Sequence, residues 1–164
     1  MPTLVKRKDI MLYLDTTPNG DSETWGLYGN KSTSATYTYN PSTTSETYIV
    51  DDNATVTLDS YNISIDGNMK CYAGDAIYDY INAMRYNLAV GTDAITKALL
   101  IDKYSPAGDG SFKAQVFECT ISIGSYGGEG GVTPTITFTI GLNGTPKQGS
   151  VTFDGKVPTF VEIQ

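Results

Sequence analysis

Few residues of this chain could do chemistry, and the first fact about them is a zero: 164 residues contain no histidine. Without an imidazole there is no Ser-His-Asp triad, no Cys-His dyad and no His-ligated zinc or iron. The two cysteines, Cys71 and Cys119, cannot complete a tetrahedral zinc site by themselves. Three other stretches merit a test. Asp15-Thr16-Thr17-Pro18-Asn19-Gly20 begins like a calcium loop. Thr17, however, stands where an acid or amide ligand belongs, and Gly26 holds the position that needs a bidentate Glu. The stretch reads as a turn. Asp51-Asp52 offers two carboxylates, but adjacency in sequence does not set the separation that glycoside hydrolysis requires, so the pair reads as a solvated loop. Ser125-Tyr126-Gly127-Gly128-Glu129-Gly130-Gly131 might be a phosphate cradle were it to carry a Lys and open a helix; it does neither, and its one charge is negative. It reads as a hairpin tip. The residues point to no catalytic group, no metal site and no cofactor.

Composition narrows the class further. The net charge is −7 and the isoelectric point about 4.4, which excludes a basic nucleic-acid-binding module. Hydrophobic residues make up 40% and charged ones only 18%, enough apolar material for a core. Twelve Tyr against one Trp, frequent Thr, and 17 Gly favour β structure punctuated by turns. No apolar run approaches the ~18 residues of a membrane span, so membrane insertion is not expected. The charged start, Met1 to Asp9, has no apolar stretch behind it and does not resemble a signal peptide. A soluble protein made in a cytoplasm, with Cys71 and Cys119 reduced, is the expectation. The Asn-x-Ser/Thr triplets at Asn30, Asn53, Asn62 and Asn143 then carry no glycosylation meaning.

The elements follow from periodicity. Strands are predicted at Ile10–Leu14, Trp25–Tyr28 and about Ser34–Tyr39. From Lys31 to Asn53 aliphatic residues are nearly absent, yet Tyr37, Tyr39 and Tyr48 argue against disorder. Such a stretch cannot build its own core; it is predicted to be an arm, at about 31–53, that is ordered against something outside its own domain. Ala54–Ile65 reads as one strand whose apolar parity switches near Asp59-Ser60, which calls for a β-bulge. One helix is predicted at about 75–88, with Asp75 as N-cap, Gly91 closing it, and an apolar stripe of Ile77, Tyr80, Ile81, Met84 and Leu88. Strands follow at Ile95–Tyr104 and Phe112–Ile123, the latter with a parity switch near Val116-Phe117. Val132 to Leu142 alternates apolar residues with Thr133, Thr135, Thr137 and Thr139, one buried face and one Thr ladder. Asn143-Gly144 and Asp154-Gly155 are preferred hairpin turns framing Ser150–Phe153 and Val157–Ile163. The fold class is mostly β: one domain over residues 1–164, an antiparallel β-sandwich or rolled barrel with one flanking α-helix.

The order of several motifs adds a resemblance. Lys8-Asp9-Ile10-Met11-Leu12-Tyr13-Leu14 leads to Trp25-Gly26-Leu27-Tyr28-Gly29, then to Tyr39-Asn40-Pro41 and Glu46-Thr47-Tyr48-Ile49. The helix start Gly74 to Ile81, the blocks Phe112–Val116 and Ile136–Ile140, and Gly149–Phe153 complete the series. Over nearly the whole chain this succession resembles the major tail tube proteins of long, non-contractile-tailed (siphovirus-type) bacteriophages. The resemblance implies a structural subunit whose copies close into hexameric rings that stack into a hollow conduit for DNA ejection. It implies a place in the virion tail, assembled in the host bacterial cytoplasm. The implied partners are other copies of the chain and tail tape-measure, tail terminator and baseplate or distal tail proteins, with DNA passing unbound. Residues Tyr39, Asn40, Pro41, Glu46, Thr47 and Tyr48 would then form the inter-ring contact, and Thr133, Thr135, Thr137 and Thr139 the candidate lumen wall.

Charge agrees with that picture, since six copies of a −7 chain carry −42 and would repel a polyanion near the wall. Two other readings are a carbohydrate- or host-binding β-sandwich module and a tube subunit of a contractile tail or secretion system. A small-oligomer state with an exposed aromatic cluster on one face would mark the first; association with a contracting sheath would mark the second.

Overall fold

The structure is a computed structural model describing residues 1–164. A 3-10 turn at Arg7–Asp9 leads into β1 (Ile10–Asp15), β2 (Trp25–Tyr28) and β3 (Ala35–Thr38). Next come β4 (Pro41–Glu46), β5 (Thr55–Tyr61), β6 (Ser64–Lys70) and α1 (Ala76–Asn87). Four long or closing strands finish the chain: β7 (Ile95–Gly108), β8 (Ser111–Gly127), β9 (Thr135–Asp154) and β10 (Val157–Glu162). One antiparallel sheet runs β2-β1-β7-β8-β9-β6-β3, with β10 added to the far half of β9. β4 and β5 pair only with each other.

The sheet rolls until its ends meet, and side chains stitch the seam. Tyr28 on β2 stacks edge-on against Phe138 of β9 at 5.9 Å between centroids. Its hydroxyl accepts the Asn68 backbone N–H at 3.0 Å and donates to the Asn68 carbonyl at 2.9 Å. Arg7 donates to the Ala35 carbonyl of β3 at 3.0 Å, and the Lys70 N–H reaches the Lys31 carbonyl at 2.9 Å. These bonds satisfy backbone groups that an open sheet would leave to solvent. The result is a rolled barrel flattened into a sandwich, with α1 on its flank.

Two cores result. Leu12, Leu14, Ala98, Ile65, Phe138 and Ile140 meet Ile77, Ile81 and Met84 of α1 in the larger. Tyr13, Leu99, Ile101, Ala114 and Val151 form the smaller on the opposite side of β1 and β7. Successive residues of a strand face opposite ways, so β1 and the Ala98–Ile101 stretch of β7 are covered on both faces, and Ile10–Leu14 and Ala98–Ile101 read as unbroken apolar runs. Gly67 is required where β6 crosses Phe138: a Cβ there would enter the phenyl ring.

α1 begins where the Asp75 carboxylate accepts the Ile77 and Tyr78 N–H groups at 3.1 and 3.0 Å. Of the sequence stripe, Ile77, Ile81 and Met84 are buried and Tyr80 half-buried, while Leu88 is 80% exposed. Leu88 is the C-cap, in left-handed conformation (φ 50°, ψ 48°), which swings its side chain off the helical stripe. Tyr78 is buried in addition. Closure therefore falls at Leu88 rather than at Gly91, which starts a 3-10 turn.

Two strand boundaries differ from the sequence expectation. Ala54–Ile65 is not one strand but parts of two in different sheets, β5 and β6, with the break at Asn62-Ile63. The register shift near Asp59 is present: Ser42 pairs with Ser60 and Thr43 with Leu58, leaving Asp59 extra. Asn143-Gly144 makes no hairpin. β9 bends there and continues along β8, with Phe117 opposite Gly144, Thr145 and Pro146. The Asp154-Gly155 turn does join β9 to β10.

Candidate assembly surfaces

The β4–β5 ribbon is the most unusual feature of the molecule. All thirteen of its residues are exposed, and neither strand rests on the body. An isolated two-stranded hairpin is marginal in water, so its local bonds matter. At the base, Asn40 takes a left-handed φ of 44° and its amide donates to the Asn62 carbonyl at 3.0 Å, while the Asn62 N–H reaches the Tyr39 carbonyl at 3.0 Å. Tyr39 and Tyr61 stack edge to face at 5.9 Å. Near the tip, the Tyr48 hydroxyl donates to the Glu46 carboxylate at 2.9 Å, and the Asp51 N–H closes a turn on the Tyr48 carbonyl at 3.0 Å.

Cross-strand partners share a face. Pro41 pairs with Tyr61, Thr43 with Leu58 and Ser45 with Val56, so one face collects Pro41, Val56, Leu58 and Tyr61. Ser42, Thr44, Glu46, Thr55, Thr57 and Ser60 fill the other. Leu58 and Tyr61 are three apart and would face opposite ways in a regular strand; the extra residue Asp59 brings them together. The ribbon is amphipathic, with its apolar face in solvent.

The named arm residues lie on this ribbon and its margins. Tyr39 and Asn40 form the base, Pro41 and Glu46 the ends of β4, and Thr47 and Tyr48 the start of the connecting loop. Lys31 to Thr38 belongs to the body, through β3, and the arm extends instead to Tyr61. The sequence signal for β5 was present in Val56 and Leu58 but matched that of an ordinary half-buried strand.

The Thr ladder lies on the outer face of β9. Thr139 stands in a row with Ser122, Asp66 and Thr36, and Thr137 in a row with Ser125 and Asn68. The Ser125 and Thr137 hydroxyls are 2.6 Å apart. Thr135 is half-buried beside Lys70, and Thr133 falls outside the strand, because β9 starts only at Thr135 after the glycine-rich connection. These rows hold hydroxyls, an amide, the Asp66 carboxylate and, beside Thr135, the Lys70 ammonium.

The other stretches have structural duties. Asp15 is 2% exposed and its carboxylate accepts the Thr17 and Thr24 N–H groups at 2.9 and 3.0 Å, pinning the β1–β2 connection. Ser125 to Gly131 links the end of β8 to β9, with Arg85 of α1 stacked on the Tyr126 ring at 4.0 Å. Cys71 and Cys119 are free, and burial pushes the Cys119 thiol up to about 12. No group of three or more His, Cys, Asp or Glu comes together to hold a metal ion. A concavity of about 1190 Å³ lies beside Trp25 and Phe160. Ion pairs flank it, Lys97–Glu23 at 2.6 Å and Lys147–Glu162 at 3.8 Å, and the Lys97 hydrogen bond lowers the Glu23 pKa.

No family model and no curated protein matches the chain. Among solved structures, it is similar to a chain from the tail of an empty gene transfer agent (GTA) particle, determined by helical refinement with C6 symmetry. The TM-score is 0.59 at 16% identity, over 87% of this chain and 97% of that one. At that identity the likeness is one of fold: the chain is built like a subunit of that tail.

Proposed function

We propose that this protein is the structural subunit of a phage tail tube, of the long non-contractile type that its sequence resembles. Copies close into hexameric rings, the rings stack, and the ribbon of one ring packs on the next. The carrying observation is the amphipathic ribbon, an apolar face that its own body leaves bare, on a fold shared with a C6-symmetric tail. A large uncovered apolar surface on a soluble chain marks an interaction site.

Within this reading the hydroxyl rows of β9, β6 and β8 line the conduit. They present one carboxylate, Asp66, and, beside Thr135, one ammonium, Lys70, per copy, so the wall carries no net charge of its own and no guanidinium. DNA then slides past without being held, and the excess negative charge sits elsewhere on the subunit. The tube is carried in the virion after assembly in the host cytoplasm, with tape-measure, terminator and distal tail proteins as partners. Electron microscopy of the protein at rising concentration tests the proposal: rings and hollow filaments with sixfold symmetry are expected. Discrete monomers at every concentration, also in the presence of preformed tail tips, would overturn it.

A further inference from the structure

The ribbon has a second property that its apolar face does not explain. Between Lys31 and Lys70 the chain contains no Lys or Arg, while it holds Glu46, Asp51, Asp52, Asp59 and Asp66. Four of those five acids belong to the ribbon and its tip. Stacked copies of a purely acidic projection would repel one another unless the surface receiving it were basic.

Of the basic surfaces on the body, one stands out. Lys6, Arg7 and Lys8 form the densest run of cations in the chain, all exposed, at the entrance to β1. Ile10 pairs with Asp102 and Asp102 with Lys113, so Lys103 and Lys113 stand at the same end of the sheet, also exposed. Arg7 is held by the Ile10 and Ala35 carbonyls and lies over the Tyr37 ring at 5.9 Å, which fixes the run to the body. Lys6 and Lys8 have no carboxylate within ion-pair distance. Leu4 and Val5, 82% and 45% exposed, add apolar surface beside them, as Ile49 and Val50 do at the ribbon tip.

We infer that the occupant of this basic end is the acidic ribbon tip of a second copy, with Asp51 and Asp52 meeting Lys6 and Lys8. This rests on the tube reading and names the two surfaces that recognise each other in it. The contact supplies direction as well as attraction: a ribbon finds no match on another ribbon, so subunits add in one polarity.

The test is a charge swap. D51K/D52K and K6E/K8E, each checked for an unchanged monomer melting temperature, are titrated for filament formation by sedimentation and electron microscopy at low and high salt. Each is expected to raise the concentration at which filaments appear by at least about tenfold at low salt, because like charges are then brought together. The chain carrying both swaps is expected to regain most of the loss, and wild-type filaments to weaken as salt rises. Wild-type filaments with both swaps neutral, or with no recovery in the combined chain, overturn this inference and leave the tube reading standing. A wild-type chain that never polymerises overturns the tube reading itself.

Discussion

Replacing Val56 and Leu58 by serine separates folding from assembly. Both lie on the apolar face of the ribbon and are 65% and 48% exposed in the single subunit. Together they leave uncovered about as much as one whole apolar side chain, worth ~1.5–3 kcal/mol when removed from water. All ribbon residues are exposed and no element of the body packs extensively on them, so the substitutions cost the monomer little: a change in stability within about 0.5 kcal/mol is expected for such surface sites. In a ring of six the missing contact recurs at every ribbon, and even one ribbon's share corresponds to at least about a tenfold change in an association constant. Sedimentation of serially diluted protein, with electron microscopy of the pellets, reads the filament threshold. Thermal melting of the dilute fraction reads the fold. Thr55→Ala/Thr57→Ala, on the polar face, is the matched control and should leave both unchanged. A serine variant that polymerises at the wild-type threshold would refute the claim that this face is covered by a neighbour. One that melts several degrees lower as a monomer would show that the ribbon is held by its own body.

Three further substitutions probe the scaffold. Gly67→Ala drives a methyl into the Phe138 ring and should destabilise by ~1–3 kcal/mol, seen as a lower midpoint in denaturant. Tyr28→Phe keeps the stack on Phe138 but strips the Asn68 N–H and carbonyl of their partner, with an expected loss of ~1–2 kcal/mol by the same measurement. Burial raises the Asp102 pKa above its ordinary value, with Lys113 opposing, so the folded state binds this proton more tightly than the unfolded chain. Its contribution therefore weakens stability as pH rises from the unfolded value through the folded one. Asp102→Asn should melt higher than wild type at neutral pH, with the gap closing toward pH ~3; a constant gap would exclude the linkage.

How much of this was legible in the residues depends on who covers each surface. Asp75, Ile77, Ile81 and Met84 show a helix because its cap and stripe are local, and the structure puts α1 at Ala76–Asn87. Leu88 matches the stripe equally well, but a left-handed cap is decided by how the chain leaves the helix, which periodicity does not record. Asn143-Gly144 has hairpin chemistry and makes a bend, because β8 is long enough to pair with β9 on both sides of it. Thr133 continues the Thr alternation by composition alone, whereas pairing starts at Thr135, where Lys70 and Gly127 supply partners. Residues 31–53 lack the aliphatics for a core, which is a local fact. That Pro41–Glu46 pairs with Thr55–Tyr61 is not, since alternating Val56 and Leu58 look the same whether the covering surface is the parent body or a sister molecule.

That ambiguity bears on how a subunit of the proposed tube would avoid disordered association. A regular ribbon with Val56, Leu58, Tyr61 and Pro41 on one face would be an edge-exposed apolar strand pair, the type of surface that aggregates without order. Here three features limit it. The extra residue Asp59 adds local twist and puts a carboxylate in hydrogen-bond contact with Thr44, so flat stacking of one ribbon on another is disfavoured. Pro41 at the start of β4 lacks a backbone N–H, which removes a donor an incoming strand could use. And every charge on the ribbon is negative, so two ribbons repel before their apolar faces meet. A surface that answers both the apolar face and the charge must be apolar and basic at once, and in the stacking we infer Leu4, Val5, Lys6 and Lys8 would supply it. In the proposed tube, aggregation and ordered stacking would compete for the same apolar area, and the sign of the charges around it would select the ordered outcome.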